Sequence, residues 1–169
     1  LELRKLWPDI SAILKNKKQR IWICGHSLGG AMATLCASRL EELEPTLYTY
    51  GSPRVGGSEW RDGCDVEHYR FVNNNDIVTA VPLWLMGYRH HGTVRYIDYY
   101  GRIKRMTFGQ KVKDQLLGRW KALTKFQLFD GIYDHDIAGG YADKLQALWF
   151  EGREKIRKRA NVGHDRKNV

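Results

Sequence analysis

Residues 20–40 constrain the fold more than any other stretch. Arg20–Gly25 (RIWICG) is a short apolar run of β-favouring residues ending in glycine, and it reads as a buried strand. The segment after it, LGGAMATLCASRLEEL, is rich in alanine and leucine, with Met32, Leu35, Cys36 and Leu40 at helical spacing. Between them, Gly25-His26-Ser27-Leu28-Gly29 fits G-x-S-x-G, a pattern that puts a serine on a sharp strand-to-helix turn with its hydroxyl exposed. The competing reading is an ordinary βα turn with an incidental serine. Strand before and helix after favour the elbow. A serine there is a weak nucleophile alone and needs a base and amide donors for an oxyanion.

The 169 residues suit one domain with one core, read as residues 1–169 with a basic tail at about 152–169. A content of 43% hydrophobic and 28% charged residues fits a globular protein, and no apolar run is long enough for a membrane span. No secretory signal is visible. Cys24, Cys36 and Cys64 make an odd number without metal-like spacing, so no disulfide framework is expected, and Cys24 and Cys36 read as buried thiols. The net charge of +9 favours anionic partners such as lipid head groups. No zinc-finger or RNA-recognition signature is present, so nucleic acid is not expected.

Residues 7–19 (WPDISAILKNKKQ) read as a helix. Pro45–Gly57 reads as an alternating strand running into a glycine–proline loop, and Glu67–Pro82 as a strand ending in a polar loop. His90–Phe108 predicts one or two strands turning near Tyr100-Gly101. Residues 110–129 are amphipathic and basic: Lys111, Lys113, Arg119, Lys121 and Lys125 flank Leu116, Leu117 and Trp120. Such a helix suits an anionic lipid surface, or packs its stripe on the core. The segment from Asp134 opens as a loop and becomes a final helix, followed by a tail expected to fray at its end. Strands alternating with helices imply an α/β fold with a mainly parallel sheet and flanking helices, ligands lying at the carboxyl ends of the strands.

An α/β-hydrolase triad runs in the order Ser, Asp or Glu, then His. His26 adjoins the serine at a tight turn and points elsewhere, as a spacer. His68 comes too early, and His164 lies in the tail. His90, His91 and His135 remain, and His135 is favoured because it lies in a loop before the final helix. Asp76 follows a strand, although an aspartate there also suits an N-cap or turn. Asp134 and Asp136 adjoin His135, and Asp98 falls in the hairpin. The chemistry calls for a buried carboxylate that fixes the imidazole tautomer.

With these residues placed, the chain resembles the class 3 lipases, the fungal-type triacylglycerol lipase family of the α/β-hydrolases. The matching segments are GHSLGGAMA (Gly25–Ala33), TYGSPRVGG (Thr49–Gly57), RFVNNNDIVTAVP (Arg70–Pro82), GYRHHGTVRYID (Gly87–Asp98) and YDHDIAGGYADKL (Tyr133–Leu145), in order. The resemblance implies Ser27 as nucleophile, Asp76 as acid and His135 as base. It also implies a supporting role for His91, while the Leu28 amide, next after the nucleophile, is the expected oxyanion donor and the elbow residue His26 is taken as supporting.

The reaction implied is hydrolysis of lipid carboxylic esters at an interface, through an acyl-enzyme, with no metal or organic cofactor. Phospholipase, acyltransferase or thioesterase activity on the same triad is the neighbouring alternative. A non-catalytic lipid-surface or partner-binding fragment is the other. Family members carry a large region ahead of the elbow, including the second oxyanion donor, whereas residues 1–20 here offer a helix and no strand. The chain is therefore expected to be the C-terminal portion of an α/β-hydrolase fold, lacking an N-terminal part. RIWICG would then become a sheet edge that invites self-association.

Overall fold

The computed structural model describes residues 2–14, 20–74, 76–98, 100–104 and 135–165. The basic amphipathic segment at 110–129 and Asp134 lie outside the described residues. Five strands form one sheet in chain order: β1 (Trp22–His26), β2 (Thr46–Tyr50), β3 (Glu67–Asn73), β4 (Thr93–Ile97) and β5 (Ile103–Lys104). β1 to β4 run parallel, in registers such as Gly25 beside Thr49 and Thr49 beside Arg70. β5 returns antiparallel to β4, pairing Ile103 with Ile97. The turn between them is held by Asp98, whose Oδ1 accepts from the amides of Tyr100 and Arg102 at 3.0 and 2.9 Å.

Parallel neighbours need crossovers. Helix α2 (Ser27–Arg39) links β1 to β2 and packs on both, and the short α3 (Ser58–Gly63) lies between β2 and β3. α2 can lie close to the sheet because its buried face is made of small residues: Gly30, Ala33, Thr34, Cys36 and Ala37. β2 alternates, so Leu47 and Thr49 are fully buried while Thr46, Tyr48 and Tyr50 face the other side. Leu47, Ala33, Ala37 and Val66 make the core, with Ile23 and Cys64 against it. Burying Leu47 is worth about 1.5–3 kcal/mol.

Three expectations change. Helix α1 (Glu2–Leu14) begins at Glu2 rather than at Trp7, with Pro8 inside it, and residues 15–19 lie outside the described residues. The apolar spacing explains the earlier start, because Leu6, Trp7, Ile10 and Leu14 sit three or four apart across the proline. β1 is half-buried rather than buried: Trp22 is 73% exposed and Cys24 is an exposed thiol, while Cys36 is buried as expected. β1 ends the strand order, so among the described residues its outer edge has no strand neighbour. The final helix, α4 (Asp143–Asp165), continues through most of the basic tail. That stretch has no proline and is rich in lysine and arginine, which favour helix.

Candidate active site

Ser27 is the first residue of α2 and directly follows β1, so strand passes into helix with no loop between. Its φ is 54°, in the left-handed region that a side chain enters at a cost. The turn closes because Gly25 has no β-carbon: one there would collide with the carbonyl group of Gly29 and come within 2.8 Å of Gly30 N. Gly29 is different, since a β-carbon there would meet nothing within 4 Å. Leu28 is the second residue of α2, and the first N–H groups of a helix have no intrahelical acceptor.

The structure brings Ser27, Asp76 and His135 together. His135 Nε2 lies 2.8 Å from Ser27 Oγ, and His135 Nδ1 lies 3.0 and 3.1 Å from the two carboxylate oxygens of Asp76. The Asp76 side chain is fully buried and the His135 side chain is 18% exposed. Asp76 also caps the single-turn helix Ile77–Ala80, its Oδ1 accepting from Val78 N at 2.9 Å. The N-cap reading and the triad geometry thus coexist in one carboxylate.

Other side chains hold this arrangement. Tyr141 Oη donates to Asp76 Oδ2 at 2.6 Å and accepts from Asn73 N at 3.0 Å. Asn73 Nδ2 donates to the Gly140 carbonyl at 3.0 Å, and Lys144 Nζ donates to Asn73 Oδ1 at 2.7 Å. These contacts tie the end of β3 to the π-helical turn Ile137–Ala142 that follows His135. His26 Nε2–H donates to the His135 carbonyl at 2.7 Å, and the two rings stack at 4.8 Å. Gly51, at φ +58°, lies against the site: a β-carbon there would come within 2.6 Å of Asp76 Oδ2 and 3.0 Å of His135 Nδ1.

The remaining candidates lie elsewhere. His91 Nε2–H donates to the Cys64 carbonyl at 2.9 Å, and its Nδ1 is 3.3 Å from His68 Nδ1, so what it supports is the packing of β3. His90 Nε2–H donates to the Thr79 carbonyl. Asp98 pairs with Arg102 and Lys104, and Asp136 caps the π-helical turn. Among the described residues, no group of three or more His, Cys, Asp or Glu could hold a metal ion.

The family model described as Lipase (class 3) matches residues 3–86, a stretch that contains Ser27 and Asp76. The chain belongs to the class 3 lipase family. Toxin TseL of Vibrio cholerae is 41% identical over 76 residues, covering 41% of this chain and 12% of the relative. Secreted mono- and diacylglycerol lipase 1 of Fusarium solani is 33% identical over 106 residues, covering 54% of this chain and 32% of the relative. The native Rhizomucor miehei lipase propeptide complex superposes with a TM-score of 0.54 at 31% identity, over 60% of this chain and 37% of that one. The fold is of α/β-hydrolase type, and the chain spans about a third or less of the length of the Vibrio and Fusarium relatives.

In this class 3 lipase chain the sequence reading named the triad candidates but missed Tyr141, Asn73 and the contact role of Gly51. A tyrosine six positions after a histidine has no local signal. The π-helical turn, with its wider i→i+5 turn, aims it back at Asp76. Among the described residues, no helix is long and apolar enough to cross a membrane.

Proposed function

We propose that this chain carries the catalytic residues of a serine hydrolase that cleaves carboxylic esters of lipids. The observation that carries the reading is the unbroken hydrogen-bonded line from Ser27 through His135 to a fully buried Asp76. Ser27 Oγ attacks the acyl carbonyl as His135 Nε2 takes its proton. Asp76 holds the Nδ1–H and stabilises the imidazolium. The Leu28 amide donates to the oxyanion. The tetrahedral adduct collapses, His135 returns the proton to the departing alcohol, and an acyl-serine remains. Water, deprotonated by His135, then releases the fatty acid and restores Ser27.

The lipid reading draws on the lipase relatives and on the surroundings of the site. Leu28 follows Ser27, Ile77 follows Asp76 and Ile137 lies two residues past His135, and all three side chains are at least half exposed. Aliphatic groups open to solvent beside a reactive serine suit an acyl chain.

A fluorophosphonate probe tests the reading. Expected is a single adduct on Ser27 by peptide mass, absent in Ser27→Ala and in His135→Ala. A folded chain that stays unlabelled would turn the reading into that of a binding module. Hydrolysis of an emulsified monoacylglycerol in preference to a soluble short-chain ester then tests the substrate class.

A further inference from the structure

Behind the elbow, on the face of the sheet that α2 covers, a second set of polar groups takes no part in the triad. Arg70 on β3 is 8% exposed, and its Nε is buried with no hydrogen-bond partner. It borders a small cavity with room for one water-sized particle, also lined by Thr34, Ser52, His68, Arg89 and His90. Ser52 packs on Gly30, where a β-carbon would come within 2.8 Å of Ser52 Cβ, so the cavity lies directly behind the turn that bears Ser27.

A buried charge is costly unless it is paired. Arginine does not escape by losing its proton. Burial, and then the charge of Arg54, lower Arg70 only to about 10, so it stays cationic at neutral pH. The neighbouring charges have the same sign. Arg54 is committed to the carbonyls of Ala80 and Pro82, and Arg89 to those of Trp84 and Tyr88. Among the described residues, no carboxylate lines the cavity.

The neutral groups around it are also committed. The hydroxyls of Thr34 and Ser52 donate to the carbonyls of Gly30 and Pro53. His91 gives its Nε2–H to Cys64 O, so its Nδ1 accepts from His68 Nδ1–H, and His68 Nε2 in turn accepts from Thr49 Oγ1. His90 gives its Nε2–H to Thr79 O. The donor that faces the cavity unspent is the Arg70 Nε–H, in a field made positive by Arg54 and Arg89.

We propose that this cavity binds one small monatomic anion of the halide class, held by Arg70. Space of single-particle size favours a monatomic ion over sulfate, phosphate or a fatty-acid carboxylate. The ion neutralises the buried guanidinium of β3, so its effect falls on folding stability and not on the chemical step.

The test uses the full chain in sodium chloride, sodium bromide and sodium gluconate at matched ionic strength. Chloride and bromide should raise Tm by a few degrees, saturably, over gluconate, as expected for a ligand that binds only the folded state. Arg70→Met should remove the difference between salts. Because that variant can fail to fold, crystals of the unsubstituted chain grown in bromide supply the second measurement. An anomalous peak within hydrogen-bond reach of Arg70 is expected. A cavity with no peak, together with equal Tm in all three salts, would mean that water alone fills it, and would overturn the proposal.

Discussion

The phenol of Tyr141 donates a 2.6 Å hydrogen bond to the carboxylate of Asp76, 65 positions earlier in the chain. Both side chains are buried, Tyr141 at 1% exposure, and the same phenol oxygen accepts from Asn73 N. One side chain therefore links the carboxylate that orients His135 to the backbone end of β3. Tyr141→Phe keeps the ring and removes both bonds, leaving a buried donor and a buried charged acceptor short of a partner. Stability should fall by about 1–3 kcal/mol. If Tyr141 positions Asp76, kcat should fall roughly tenfold with KM little changed. Urea denaturation and steady-state kinetics read the two effects separately, and loss of stability with unchanged kcat would reduce Tyr141 to a packing residue.

The triad should behave as one unit. Ser27→Ala and His135→Ala are each expected to abolish most ester hydrolysis, and the double substitution should be little worse than either alone. Asp76→Asn should cost as much or less, because the orienting contact is partly replaced by the amide. Initial rates on an emulsified ester check this. Full activity in Ser27→Ala would end the covalent mechanism.

Backbone strain at the elbow gives a prediction about stability alone. Ser27 has φ 54°, where glycine sits freely and alanine does not. Ser27→Gly and Ser27→Ala both lack the hydroxyl that meets His135, so their difference isolates the backbone. The glycine variant should be the more stable by about 1 kcal/mol in chemical denaturation. Equal stability would show that the turn relaxes once the hydroxyl is gone.

Two buried histidines should make the fold sensitive to acid. Burial, and then the charge of Arg70, lower His68 to about 3 and His90 to about 2, from a usual value of 6.5. Below pH 6.5 the unfolded chain takes up protons at these two positions and the folded chain does not. The stability they confer is complete above 6.5 and is lost as pH falls towards the folded values. Each histidine contributes a slope of up to about 1.4 kcal/mol per pH unit over that window. His90→Gln keeps a donor for the Thr79 carbonyl, 2.7 Å from His90 Nε2 in the native chain, and removes one titration. It should roughly halve the dependence of the urea midpoint on pH between neutrality and mild acid. An unchanged slope would place the acid sensitivity elsewhere.

Local pattern was enough to read much of this fold. The alternation of TLYTY, the apolar run before Gly25 and the small-residue helix after Ser27 act through near neighbours in the chain, so strand, turn and helix could be read before any contact was known. Chain order and motif likewise singled out Ser27, Asp76 and His135. Exposure could not be read this way. RIWICG looks like a buried strand from its composition, yet Trp22 and Cys24 face outward, because burial depends on what packs across the sheet.

The interior of the site was decided by tertiary structure. Asp76 and His135 stand 59 positions apart and meet only because four parallel strands bring their carboxyl ends to one side, where the π-helical turn sets Tyr141 beneath them. The same holds for Arg70. In sequence it is one basic residue of a strand, and only the packing of α2 over the sheet makes it a buried cation without a partner for its Nε. Sequence carries propensity and spacing, which are local. Distance, burial and charge compensation arise between segments far apart in the chain, and the fold sets them.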